Sequence, residues 1–352
     1  MDMMLNSLPS RTWNRLGINE SFISINPTLT QHAPVLETKA DNLDINLHAE
    51  TPAKWATIET GIGPDSDKLL EAGEVITIHA GEKVVAEEPV LIRYNYTDDD
   101  CTAHRLFVEA EAESALTVIM LLQSDDMEDG GISAIQTKVD AAANAHVNIY
   151  VVQLLGDHMV CMNDVSGTVE EDATVELTKL ELGSGKLYAG ARFELVGKNS
   201  QFLADVGYLA REHQTMDMNY IANHWGKKSN SLMEVSGTLQ ENSRKVFRGS
   251  IDFKRGAKGA TGTENENVLL LGEHIVNQTI PLILCQEEDV EGNHGASIGR
   301  LDEKVLFYLS TRGIAEEDAQ RIIERARIDS ICAKIPHEEA QEAVRAFQKR
   351  GE

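Results

Sequence analysis

Four things are scarce in this chain: positive charge, cysteine, aromatic residues and long apolar runs. It carries 32 Lys plus Arg against 57 Asp plus Glu, a formal net charge of −25. Phosphate backbones and anionic lipid repel such a chain, so neither nucleic acid nor membrane is an expected partner. A basic protein or metal cations suit the field better, with solubility alone as the plain alternative. No apolar segment approaches the ~20 residues of a membrane span. Residues 1–13 lack the basic-then-apolar order of a signal peptide. The four cysteines, Cys101, Cys161, Cys285 and Cys332, are far apart, with no CxxC and no zinc spacing. Dispersed cysteines without a leader point to a reducing compartment, hence to the cytoplasm. Taken singly, each reads first as a small buried hydrophobe. Aromatics are only 5% of the residues, while small residues such as Ala141, Ala142, Ala143 and Ala145 are common, a composition that favours narrow coils. The hydrolytic signatures GxSxG and HExxH and any Cys-His signature are missing too, so the chain is not expected to be an enzyme.

What is present is a folded composition, 42% hydrophobic and 25% charged, over 352 residues. That length allows one large core or two to three modules. Three regions are predicted: an N-terminal arm or small cap over 1–45, a β core over 46–300 and a helical domain over 301–352. The β signal is alternation. Leu106, Val108, Ala110 and Ala112 alternate with Phe107, Glu109, Glu111 and Glu113. Val147, Ile149 and Val151 alternate with Asn148 and Tyr150, and Val175, Leu177 and Lys179 with Thr174, Glu176 and Thr178. Polar or small clusters are centred near Glu113, Asn144, Asp172, Asn199 and Lys228, at separations of 31, 28, 27 and 29. A repeat of that length with strands on both sides of each turn suggests stacked β coils. A β-sandwich is the alternative, because the repeat is loose.

Helical spacing takes over at Ile314, Ala315, Ala319, Ile322, Ile323 and Ala326, with Glu316, Glu317 and Asp318 at the favourable dipole end. Pro336 ends that pattern and a second helix follows from about 337 to 350. A short helix over 302–311 precedes both, with Gly313 beyond its end. Among the chemistry-bearing residues, the glycines of GAKGATG, Gly256, Gly259 and Gly262, read as a β-coil turn, since no GK[ST] follows. His294 lies in Asn293-His294-Gly295, where the glycine permits close approach and an exposed imidazole could ligate iron or another borderline metal. His274 is the second such histidine. The plain alternative for both is a hydrogen-bonded structural histidine, because neither has clustered partners in sequence.

The run PLILCQEEDVEGNHGASIGRLDEKVLFYLSTRGIAEEDAQRII resembles the SufB/SufD family of iron–sulfur cluster assembly proteins. Its pattern is Pro281, Glu288-Asp289-Val290, His294-Gly295-Ala296, Gly299, Leu301-Asp302-Glu303, Leu306 to Leu309, Arg312-Gly313-Ile314 and Glu316-Glu317. Upstream, Val246 to Ile251 looks like the family's strand before a glycine-rich turn. Leu269-Leu270-Leu271-Gly272 looks like its last core strand, and Leu8-Pro9-Ser10-Arg11-Thr12-Trp13 like a SufD-type start. The match is close over about the last 110 residues and one of style in the middle.

The resemblance implies a mainly β fold, a right-handed parallel β-helix (solenoid) core with a C-terminal α-helical domain. It also implies a scaffold role in a SUF-type complex. A SufC-type ABC ATPase would sit on the helical domain, with Leu306, Phe307, Tyr308, Arg312, Ile322 and Ile323 as expected contacts. A SufB-like chain or a second copy would pair at the core's last strands, making a heterodimer or a homodimer. Iron or a transient iron–sulfur cluster is the implied cargo, with nothing tightly bound. His294 is the first candidate ligand, followed by Glu266, His274 and Cys285. The chain departs from the family at two places. Gly292-Asn293-His294 stands where SufD proteins often have Cys-Ser-His, and Glu266 and Gly295 stand where SufB proteins have a cysteine and a glutamate. The balance is closer to SufD. Two rival readings are a β-helix carbohydrate-active enzyme and a purely structural SufD-like partner with no ligand role.

Overall fold

The computed structural model describes residues 1–12, 14–30 and 32–350. Trp13, which closes the SufD-type start, lies outside them, as do Gly351 and Glu352. Among the described residues the chain winds between two nine-stranded sheets. One sheet runs through Val35–Glu37, Val90–Tyr96, Ala115–Ser124, His146–Leu154, Thr174–Glu181, Gln201–Ala210, Asn230–Gln240, Ala260–Leu271 and Val290–Gly299. The other runs through Asp44–Asn46, Glu74–Ala80, Asp100–Ala110, Gly130–Ala141, His158–Val169, Lys186–Leu195, Thr215–His224, Arg244–Phe253 and Val276–Cys285. All neighbours pair in parallel except the first of each sheet. The expected mainly β solenoid with C-terminal helices is therefore present.

The alternation explains why the coils stack. Val147 pairs in register with Leu116 on one side and Val175 on the other, and all three are buried. Each inward hydrophobe thus meets another inward hydrophobe one coil away, and no coil can bury its inner face alone. The repeat of turns is a column of left-handed residues. Glu113, Asn144, Asp172, Asn199 and Lys228 have φ of 60°, 59°, 56°, 57° and 56°. Each donates its N–H to a carbonyl one coil further on, over 2.9–3.0 Å, to Ala143, Glu171, Lys198, Lys227 and Lys258 in turn. Non-glycine residues pay a steric cost there, and the hydrogen-bond column holds them in place.

The outer faces are also covered. On the second sheet, Met3 and Leu5 of one hairpin strand and Ile23 of the other, together with Ile62, Leu69 and Leu70, pack on Ala103, Ala134 and Met162. Leu69 and Leu70 belong to the four-residue helix α1 (Asp67–Leu70). The first hairpin and the segment 62–70 thus form a lid on this sheet. Phe107, at an outward position of the alternation, is buried under Trp55, with ring centroids 6.4 Å apart. On the first sheet the cover is helical. Helix α2 (Glu303–Thr311) buries none of its residues. Helices α3 (Glu316–Cys332) and α4 (Glu338–Arg350) press Ile328, Ile331, Val344 and Phe347 onto Ile119, Val152, Leu180 and Leu209. Each such side chain is worth about 1.5–3 kcal/mol when fully buried. No helix among the described residues is long and apolar enough to cross a membrane. One expectation is corrected: Leu269–Gly272 is not the last core strand. It ends the Ala260–Leu271 strand, and two further strands follow.

Candidate functional site at the open end of the solenoid

The strands Val276–Cys285 and Val290–Gly299 each stand last in their sheet. The parallel register places His294 opposite Glu264, Ala296 opposite Glu266, and Cys285 opposite Phe253. Glu264, Glu266 and Phe253 are buried inward positions, so His294 and Cys285 take the inward phase. With no further coil above them, both are exposed. Gly292 has the same phase, and a Cβ there would meet Phe253 Cε2 at 3.0 Å and Ile283 Cγ2 at 3.2 Å. That crowding gives a local reason for glycine where SufD proteins often carry cysteine.

Beneath this end lies a group of buried charges. Lys245 Nζ donates to Glu266 Oε1 at 2.5 Å, Tyr208 Oη donates to the same oxygen at 3.1 Å, and Thr279 Oγ1 donates to Oε2 at 2.5 Å. Both oxygens of Glu266 are thus engaged inside the core. Burial, with the Glu266 charge next, pushes the Glu264 carboxyl up to about 7, and Lys245 opposes this. Gly249 makes room: a Cβ there would lie 2.4 Å from the Glu264 carboxyl carbon. Deeper in the solenoid, Lys179 Nζ stands 3.8 Å from Glu181, and Asn163 Nδ2 donates to both Glu181 oxygens. Burial lowers the Lys179 pKa and raises that of Glu181, and it pushes the nearby Cys161 thiol up to about 12. That thiol is a core group and a poor nucleophile.

The remaining candidates stand apart. His274 is exposed in the turn between Ala260–Leu271 and the end strand Val276–Cys285, its backbone N–H bound to Glu241 Oε1 at 2.9 Å. Cys285 Sγ donates to the Glu287 carbonyl at 2.9 Å. Among the described residues, no three of His, Cys, Asp and Glu gather as a metal-holding group. The helical candidates lie on α2, just beyond its end, and on α3. Phe307 is 71% exposed, Tyr308 57% and Ile322 54%. Leu306 and Ile323 are half-buried, and the Arg312 guanidinium lies 5.3 Å from the Tyr308 ring centre. The buried charge pairs escape a reading of composition, but they leave a signal: Lys179 shares the apolar phase of Val175 and Leu177, and Lys245 that of Phe247.

Fold and site together define a parallel β-solenoid with charge pairs inside, one uncovered end and a helical flank bearing exposed apolar side chains. The chain belongs to the family described as SUF system FeS cluster assembly, SufBD core domain, whose model matches residues 93–327. It is 24% identical over 298 residues to the iron–sulfur cluster assembly protein SufD of Bacillus subtilis, covering 83% of this chain and 68% of that one. It is 29% identical over 187 residues to SufD of Escherichia coli, covering 53% of this chain and 44% of that one. A SufBD family protein of Synechocystis is 25% identical over 262 residues, 74% of this chain and 51% of its own length.

Proposed function

We propose that the chain is a non-catalytic assembly subunit of a SUF-type iron–sulfur system. It pairs through the open solenoid end with a second SufB/SufD-type chain, either SufB-like or a copy of itself. It docks a SufC-type ABC ATPase on its C-terminal helices. The observation that carries this reading is the last coil, where His294 and Cys285 hold inward positions with nothing stacked above them. An inward-phase imidazole left in the open is suited to be completed from across an interface. Among the described residues no three ligands gather, and iron or a nascent cluster at His294 is cargo shared with the partner and held transiently. Nucleotide-driven movement of the ATPase would strain the paired ends and expose that ligand. The four cysteines are free thiols, which suits the reducing cytoplasm.

The docking part is tested by co-expressing the ATPase with the wild type and with a Phe307→Asp/Tyr308→Asp double variant. Both side chains are mostly exposed, so the melting temperature stays within a degree or two of the wild type, as about 0.5 kcal/mol implies for surface changes. ATPase recovery falls at least about tenfold, as expected when aromatic anchors are lost. Equal recovery would refute docking at this strip.

A further inference from the structure

The site above uses one end of the solenoid. On the flank, a cavity of about 510 Å³ lies between the lid segment and the outer face of the second sheet. It is lined by Trp55 and Leu70 from the lid and by Arg105, Gln136, Lys138 and Arg192 from three strands. That volume is in the range of small-molecule pockets, about 300–1,000 Å³. The parallel register builds the floor, with Arg105 facing Gln136 across one pair of strands and Lys138 two residues further along the same strand.

The charges on this floor are left over. Lys138 is 3% exposed. Its ammonium donates to the Trp55 carbonyl at 2.8 Å and lies 4.6 Å from the Trp55 ring centre. Arg105 donates to the carbonyl of Gly73 and to Thr51 Oγ1, both at 3.0 Å, and its Nε–H has no partner. Among the described residues neither cation has a carboxylate in ion-pair contact. Gln136 Nε2 donates to Asp67 Oδ1 at 2.9 Å, while its Oε1 accepts nothing. Arg192, on the far side, is already paired with Glu59 and Glu194. An unpaired buried cation is costly, and here buried Lys138 stands with half-buried Arg105 in a chain with 57 acidic residues. Ion-pair partners were easy to supply, and Glu71 and Asp67 act on Arg105 only through space. Burial lowers the pKa of Lys138, against the opposing charges of Asp67 and Asp164, neither of which touches its ammonium.

We propose that this cavity binds a small organic anion. A carboxylate or phosphate would lie against Lys138 and Arg105, a hydroxyl or amino group would donate to Gln136 Oε1, and the apolar part would rest on Leu70 and the Trp55 ring. The ligand would bridge lid and sheet, so binding raises the melting temperature of the whole chain.

The test uses two probes on the full-length protein, L-malate for a hydroxy-carboxylate and glycerol 3-phosphate for a hydroxy-phosphate, by titration calorimetry and thermal melting. At least one probe binds and raises the wild-type melting temperature, and the responding arm identifies the anionic group. Lys138→Met keeps the stem over Trp55. It weakens binding about tenfold or more, the loss expected for a charge-assisted hydrogen bond. Without probe it melts no lower than the wild type, because an apolar replacement relieves an unpaired buried charge. If that variant does not fold, Gln136→Met serves, with binding weakened about threefold or more, the loss expected for a neutral hydrogen bond. The proposal is overturned if neither probe binds the wild type at up to about 10 mM, where even a millimolar Kd would show. It is equally overturned if a folded variant binds as tightly as the wild type.

Discussion

Glu264 makes the buried charges beneath the open end measurable. It is 2% exposed, flanked by Glu266 and Lys245, and faces His294 in the last coil. Its carboxyl titrates near 7 in the fold instead of its ordinary 4.5. A folded pKa above the unfolded one means the native state holds the proton more tightly. The stability this contributes is complete below about pH 4.5 and is lost as pH rises through about 7. At about 1.4 kcal/mol per unit, the shift corresponds to about 3 kcal/mol. Glu264→Gln keeps the shape of the protonated acid and cannot ionise. Wild type and variant are therefore expected to have similar unfolding free energies at about pH 4. At about pH 8 the variant is expected to be more stable by up to about 3 kcal/mol. Urea unfolding followed by far-UV circular dichroism at both pH values reads this difference. A variant-minus-wild-type difference that stays within about 0.5 kcal/mol across the range would refute the assignment.

Two further perturbations test the remaining contacts. Arg248→Met removes the Nη1 bond to Asp217 at 2.5 Å and the Nε bond to the Ile18 carbonyl at 2.8 Å. Leaving Asp217 buried without its cation costs about 3–5 kcal/mol, seen as a lower urea midpoint, and limited proteolysis then cuts first within residues 1–70. Ile298→Lys puts a charge on the exposed edge of the last strand. Edge lysines block strand-end association, so light scattering is expected to show loss of pairing with an unchanged melting temperature.

The sequence displayed the coils and hid the covers. Glu113, Asn144, Asp172, Asn199 and Lys228 were readable because a left-handed turn selects residue types locally and the coil repeats it. The helices were readable because 3.6-residue spacing is also local. The lid was not, since its anchors are distant in sequence: Asn6 Nδ2 donates to Asp217, and Asn219 Nδ2 to the Gly61 carbonyl. Nothing near residue 6 in the chain announces such a partner. Lys179 and Lys245 sat in plain view at inward positions, but their roles depend on partners supplied by other strands, such as Asn163 and Glu266. At the site, the family motif singled out His294. Its exposure follows from where the stack of coils stops, which no local pattern encodes. Glu266 was singled out by alignment, and its contacts with Lys245, Tyr208 and Thr279 come from three other strands that no local pattern announces.

The most direct test of the assembly reading is anaerobic reconstitution with iron and sulfide, in the presence of the pairing chain, of the wild type and of His294→Ala. His294 is exposed on the end strand, so the substitution leaves the fold intact by melting. The expected result is a clear loss of bound iron and of the cluster's visible absorption in the variant. Equal iron content and equal spectra in the two proteins would contradict a ligand role for the open end.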